Sequence, residues 1–158
     1  MEKGIEEIEN QLIERYPSLS SIENEIKEAY ELMIECFANG HKLLIAGNGG
    51  SAADADHIVG ELMKGFVKKR PISDDLRENL CNLDCIQGEK ISKQLQQGLP
   101  AIALHNHQAL NTAVLNDIDG TVMFAQQVCG YGQQGDIFIG ISTSGNSVDV
   151  YNAALIAK

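Results

Sequence analysis

Three side chains that can exchange protons or bind a metal follow a run of glycines: Asp54, His57 and Glu61. Spaced three and four residues apart, they share one face of an α-helix. His57 and Glu61 could give a nitrogen and an oxygen to one divalent ion, as two ligands of a tetrahedral zinc site. Glu61 could instead act as a general base, or the two could form only a surface ion pair. Their position after a buried strand favours chemistry, because ligands of open α/β sheets bind at that edge.

The glycines themselves, in Gly47-Asn48-Gly49-Gly50-Ser51-Ala52, fit the pattern G-x-G-x-x-G/A of dinucleotide-binding turns. A dinucleotide site also needs an acidic residue near the end of the second strand to hold a ribose. The second predicted strand runs instead into His105-Asn106-His107, without a carboxylate. The glycines therefore indicate a ligand close to the backbone, and a nicotinamide cofactor is disfavoured.

A second loop, at residues 140–147, carries four hydroxyl groups and a glycine between a strand and a helix; the hydroxyls belong to Ser142, Thr143, Ser144 and Ser147. Hydroxyls and the free N–H groups of a helix N-terminus both donate to phosphate oxygens. The alternative is that Ser147 only caps the helix. Capping requires one such residue, so the density of hydroxyls favours an anion site.

These loops must be held by a parallel sheet. Apolar runs predict strands at 42–46, 99–104 and 136–142, and they alternate with helical segments, which indicates a three-layer α/β fold. Residues 1–40 predict a helical arm of two helices, the second beginning with a capping box of Ser20 and Glu23. A helix is predicted at 51–66, one or two surface helices at 71–99, and a last helix from Ser147. The spacing of Cys81 and Cys85 predicts a shared buried helix face.

Composition narrows the classes of partner. The chain has 158 residues and a formal net charge of −10, which argues against nucleic acid and anionic membranes as the main partner. A small phosphorylated ligand remains compatible, since backbone amides can bind it. The acidic N-terminus lacks an apolar signal segment, and the four cysteines form no CxxC pair. We therefore expect reduced thiols and a cytoplasmic location.

Together, GNGGSAADADHIVGEL and GDIFIGISTSGNS resemble the sugar isomerase (SIS) domain family, and within it the phosphoheptose isomerases. LPAIAL and LNDIDG lie in the order that this family shows. The resemblance covers most of the chain and implies one SIS domain over 1–158, with a flavodoxin-like sheet and a homotetramer built through the N-terminal helices. It also implies conversion of sedoheptulose 7-phosphate to D-glycero-D-manno-heptose 7-phosphate through an enediol(ate).

Carried over by position, the resemblance implies a set of site residues. Glu61 matches the catalytic carboxylate, and His57 and Glu61 match zinc ligands. The implied substrate-binding residues are Asn48, Gly49, Gly50, Ser51, Asn116, Asp117, Ser142, Thr143, Ser144 and Ser147.

The chain departs from the family pattern in three respects. Further strands and a C-terminal helix with a Gln and a His, the remaining zinc ligands, would follow Lys158, so we expect a C-terminally incomplete domain. Gly65 stands where the family has an Arg, with Lys64 beside it, and the insert at 71–99 is longer than the usual link. The alternative function is a non-catalytic SIS module that binds a sugar phosphate or a protein partner such as a replication-initiation factor.

Overall fold

The computed structural model describes residues 2–158, and side chains from residue 4 onward. In this range lie eight α-helices and three β-strands: α1 (Glu2–Arg15), α2 (Glu23–Ala38), β1 (Leu43–Gly47), α3 (Gly50–Met63), α4 (Asp74–Leu83), α5 (Cys85–Gln94), β2 (Ala101–Ala103), α6 (Gln108–Asp117), α7 (Met123–Tyr131), β3 (Ile137–Ile141) and α8 (Val148–Ala157).

The three strands form a parallel sheet in the order β2-β1-β3. Leu43 lies opposite Ala101 on one side and Ile137 on the other. The central position of β1 explains why its five residues are all buried. This order is the beginning of the flavodoxin-like order, so the predicted fold class and the three predicted strands are confirmed.

Alternate residues of β1 face two separate cores. Leu43 and Ile45 pack with Cys36 of α2 and Ala55 of α3. The other face carries a second cluster: Leu44, Ala46, Leu104, Phe124, Val128, Val150 and Ala153. Because both faces of the sheet are covered by helices, the strands are apolar throughout rather than alternating.

The N-terminal arm is helical, as predicted, but the predicted capping box is wrong. Ser20 lies in a 3-10 turn over Pro17–Ile22, and its hydroxyl donates to the Pro17 carbonyl. The turn occupies the residues that would have formed the cap, and α2 begins at Glu23 without a side-chain cap. The arm leaves Ile8, Leu32 and Ile34 exposed.

The insert at 71–99 is a pair of helices, α4 and α5. Ser73 caps α4 by accepting from the Leu76 N–H, and Asp84 caps α5. The helices pack so closely that a Cβ on Gly88 would lie 2.0 Å from the Leu80 carbonyl oxygen. The cap at Asp84 separates Cys81 from Cys85, so the predicted shared buried face is wrong: Cys85 is exposed.

Hydrogen bonds join the two ends of the insert at its base. The Gln97 N–H donates to the Arg70 carbonyl at 2.8 Å, and the Arg70 Nε donates back to the Gln97 carbonyl at 2.9 Å. An isolated antiparallel bridge joins Pro71 to Gln96. Because its ends meet, the insert begins and ends at one place between α3 and β2.

Three further features differ from or add to the predictions. Helix α3 ends at Met63, not at 66, and α6 and α7 have no counterpart among the predicted elements. In a buried amide pair, Gln127 donates to the Asn111 side-chain oxygen at 2.7 Å and also to the Leu104 carbonyl.

Among residues 2–158, no helix combines the length and apolar character needed to cross a membrane.

Candidate active site

In the turn after β1, Gly47 and Gly49 are each required for a different structural reason. A Cβ on Gly47 would lie 2.7 Å from the Ser51 carbonyl oxygen, so only glycine lets β1 end against the first turn of α3. Gly49 has φ +55°, where side chains are strained. Ser51 is buried, and its N–H donates to the Asn48 carbonyl at 3.0 Å. The turn thus leaves Asn48, Gly49 and Gly50 exposed at the carboxyl end of the sheet.

The serine loop after β3 lies at the same end of the sheet. The Ser142 and Ser147 hydroxyl oxygens lie 3.0 Å apart, and Thr143 and Ser144 are exposed. Gly145 has φ +69° and lets the loop turn back towards α8. Ser147 occupies the N-cap position of α8, yet its side chain makes no capping hydrogen bond. Capping therefore does not account for this serine, which favours the anion-site interpretation.

A hydrogen bond joins the two loops. The Asn48 side-chain amide donates to Asp149 Oδ2 at 2.8 Å, across 101 residues of sequence. The other carboxylate oxygen, Oδ1, accepts from the Val150 N–H at 2.9 Å. Asp149, in the first turn of α8, thus ties the glycine turn to the serine loop, and it also brings a negative charge to the predicted anion site. Asp149 was not among the predicted site residues; an acidic residue in the first turn of a helix was the signal that could have indicated it.

His57 and Glu61 are exposed on α3, as is Asp54. Over the described part of the chain, histidine ion pairs join His41 to Asp136 and His105 to Asp56, and none joins His57 to Glu61. The surface ion pair that the sequence left open is therefore not formed. Both side chains remain available to a ligand.

These two side chains fit a metal only as part of a larger ligand set. An imidazole and a carboxylate four residues apart on a helix are donor types that zinc accepts. Between residues 2 and 158, however, no group of three or more His, Cys, Asp or Glu could hold an ion. His57 and Glu61 can therefore supply two ligands, and further ligands must come from elsewhere.

A neighbouring cluster links α3 to the end of β2. His105 Nε2 lies 3.0 Å from Asp56 Oδ2, and Asn106 also donates to the Asp56 carboxylate. The hydrogen bonds from His105 and Asn106 lower the pKa of the Asp56 carboxyl. The sequence placed His105 only in a loop. Its partner lies 49 residues earlier, so spacing gave no signal for the pair.

Asn116 and Asp117 lie at the C-terminal end of α6. The Asn116 amide donates to Asp117 Oδ1 at 2.7 Å. Within the part of the chain that the structure describes, neither side chain is hydrogen-bonded to the glycine turn or the serine loop. A hydrogen bond thus joins the turn, from which α3 begins, to the loop, and no such bond joins this pair to either of them in the described residues.

Comparison with known proteins identifies the family. Residues 10–80 match the model of the SIS domain. A phosphoheptose isomerase of Geotalea daltonii is 37% identical over 157 residues, which cover 97% of this chain and 68% of the relative. The chain belongs to the phosphoheptose isomerase family. A second member, from Thermodesulfovibrio yellowstonii, is 41% identical over 133 residues, 84% of this chain and 53% of the relative.

Solved structures of family members agree with the fold. The phosphoheptose isomerase of Neisseria gonorrhoeae superposes with a TM-score of 0.64 at 32% identity, covering 94% of this chain and 61% of that one. The enzyme from Francisella tularensis gives 0.64 at 29% identity, covering 98% and 69%. The chain thus spans between about half and about two thirds of the length of these family members.

Proposed function

We propose that this chain contributes to a phosphosugar aldose–ketose isomerase that converts sedoheptulose 7-phosphate to D-glycero-D-manno-heptose 7-phosphate. The observation that carries the proposal is the Asn48–Asp149 hydrogen bond, which holds the glycine turn against the serine loop at the carboxyl end of the sheet. A ligand held by the serine loop therefore lies beside the turn that begins α3, the helix of Glu61. Family membership supports the substrate class.

The phosphate group would be bound by the serine loop. Hydroxyls of Ser142, Thr143, Ser144 and Ser147 would donate to its oxygens, helped by the first N–H groups of α8. The exposed backbone of Asn48, Gly49 and Gly50 would allow the sugar to approach closely, and Asn116 and Asp117 would bind hydroxyls if the ligand or a second subunit draws them in. Ser51, being buried, would act by shaping the turn.

Glu61 would be the base. Isomerisation moves a proton between adjacent carbons through an enediol(ate), and the carboxylate would take it from one carbon and return it to the other. Distant binding of the phosphate would hold those carbons in place, which converts binding energy into orientation. Zinc, held by His57, Glu61 and further ligands that complete its coordination, would polarise the carbonyl oxygen when bound.

The test is an isomerase assay on sedoheptulose 7-phosphate with added zinc, using the complete gene product. We expect Glu61→Gln to reduce kcat at least about a hundredfold, as loss of a general base commonly does. Glu78→Gln, which removes a carboxylate from exposed α4, is the matched control and should keep wild-type kcat. Full activity of Glu61→Gln would overturn the assignment of the base.

The same assay distinguishes the isomerase from the non-catalytic binding module. Absent turnover by the wild-type protein, with sugar-phosphate binding retained, would replace the isomerase by a non-catalytic SIS module. Turnover lost only in Glu61→Gln supports the enzyme.

We further propose a homotetramer and a cytoplasmic location. Exposed Ile8, Leu32 and Ile34 on the N-terminal arm offer apolar surface for contact between subunits. The four cysteines are all free thiols, which suits a reducing compartment. Sedimentation of the wild type and of Leu32→Glu tests the assembly: the variant should dissociate, and an unchanged mass would place the interface elsewhere.

A further inference from the structure

The base of the insert encloses a cleft of about 720 Å³ between residues 69–72 and the α4–α5 pair. Four of its lining residues are cationic: Lys69, Arg70, Arg77 and Lys93. Asp74 is the one carboxylate among the lining residues. In a chain with a formal net charge of −10, this concentration of positive charge is local and is created by the fold.

The cations reach the cleft from three separate segments. Arg77 lies on α4, Lys93 on α5, and Lys69 and Arg70 on the link that follows α3. Close packing of the two helices at Gly88 fixes their relative position. Charges of like sign repel when they converge, and their repulsion is relieved by a counter-ion.

The partners within the protein compensate only part of this charge. Lys93 pairs with Glu89 at 2.7 Å, and Arg77 also lies close enough to Glu89 to help lower the pKa of its carboxyl, but the Lys93 and Glu89 side chains are more than half exposed, so the pair contributes little. Arg70 donates to neutral carbonyls, those of Gln97 and Leu62, rather than to a carboxylate. The lining therefore keeps an excess of positive charge that an anion would neutralise.

A second observation points to a ligand with a hydrogen-bond donor. Gln96 lines the cleft, and its Oε1 is buried with no hydrogen-bond partner among the described residues. An unpaired buried acceptor costs about 1–3 kcal/mol. A small adjustment of the side chain would let it accept from a hydroxyl group of a bound molecule.

We propose that this cleft binds a small phosphate ester, at a site distinct from the serine loop. The phosphate would contact Arg77 and Lys93, with Arg70 behind them, and a hydroxyl of the ester would face Gln96. Because Arg70 also holds the Leu62 carbonyl, in the last turn of α3, the occupant would lie next to the helix that carries Glu61. The proposal concerns binding and does not depend on the isomerase activity.

The test is a titration of the full chain with inorganic phosphate at constant ionic strength, followed by amide signals in ¹H–¹⁵N spectra. We expect saturating shifts at residues 69–72, 77 and 92–96. The Arg77→Gln/Lys93→Gln variant should lose about tenfold or more in affinity at these signals, since it removes two charged donors. The matched control, Lys27→Gln/Lys90→Gln, has the same net charge but leaves the cleft lining intact and should bind like the wild type.

Two further outcomes complete the test. In Ser142→Ala/Ser144→Ala, which weakens the serine loop, the shifts in the cleft should persist with unchanged affinity. Shifts confined to residues 142–148, or equal losses in the cleft variant and its control, would overturn the proposal. If the double cleft variant does not fold, exposed Lys93→Gln alone should still weaken binding about threefold, and an unchanged affinity would count against the site.

Discussion

The polar side chains at the two ends of the sheet differ in burial and in hydrogen bonding. At the amino end, the Asp136 side chain is 5% exposed; it accepts from the Lys42 and Gln133 N–H groups and pairs with the Lys42 ammonium. At the carboxyl end, Asn48, Thr143 and Ser144 are exposed. Saturated, buried groups stabilise the strands they join, whereas exposed donors beside a glycine turn are available to a ligand. The difference separates a structural cluster from a candidate site.

The largest expected effect comes from breaking the amino-end cluster. Asp136→Asn removes the charge that balances Lys42, so we expect the free energy of unfolding in urea to fall by about 2–4 kcal/mol. Binding at the carboxyl end should be unchanged in the folded variant.

The control for that variant is Glu89→Gln, which breaks the exposed pair with Lys93. Its urea midpoint should match the wild type. Equal losses in both variants would mean that burial does not distinguish the Asp136 pair.

The amino-end cluster also predicts acid sensitivity. Burial by itself would raise the pKa of the Asp136 carboxyl, but hydrogen bonds from Lys42 and Gln133 hold it below its ordinary value. A carboxyl with a lowered pKa in the folded state stabilises fully above its unfolded pKa, about 3.9. That contribution is lost as the pH falls through the folded value.

Urea unfolding at pH 7 and at successively lower pH checks this expectation. Wild-type stability should decline below about pH 5, and the decline should be shallower in Asp136→Asn. Parallel curves for the two proteins would show that other carboxyls govern acid unfolding.

At the carboxyl end, loss of hydroxyls should affect binding more than stability. We expect Ser142→Ala/Ser147→Ala to weaken sugar-phosphate binding about tenfold, because it removes two donors. The midpoint of urea unfolding should hardly move, since Ser147 makes no cap bond and the variant removes both partners of the Ser142–Ser147 hydroxyl contact together. Calorimetric titration measures the affinity, with Ser21→Ala on the N-terminal arm as control. A large loss of stability with unchanged affinity would reverse the roles given to the two ends.

The smallest effect should be a gain. Asp149→Asn keeps one oxygen that can accept from Asn48, gives up the acceptor of the Val150 N–H, and removes a negative charge beside the serine loop. We expect sugar-phosphate affinity to rise about threefold to tenfold, because one like-charge repulsion is lost. Weaker binding in the same titration would show that the carboxylate serves the ligand rather than opposes it.

Local spacing was sufficient for several elements. The continuous apolar runs predicted the strands, because this signal depends only on neighbouring residues. Two predictions from local spacing were wrong. Ser20 lies in a 3-10 turn instead of capping α2, and the helix break at Asp84 separates Cys85 from Cys81.

The site residues divide in the same way. The glycine turn, the serine loop and the α3 face were predicted because each is a short motif whose spacing has a direct geometric meaning. Asp149 and the His105–Asp56 pair were not singled out, since their partners lie 101 and 49 residues away. No local pattern encodes contacts of that kind.

The sequence by itself determined the fold class, the family and the motifs that flank β1 and β3, because these depend on periodicity and on residues adjacent in the chain. The tertiary structure decided which motifs meet. The order β2-β1-β3 brings the glycine turn to the serine loop and Lys42 to Asp136, and the folded insert gathers cations from three segments of an acidic chain. The physical reason is that electrostatic and hydrogen-bonding partners are selected by distance in space, which only the packed sheet and helices define.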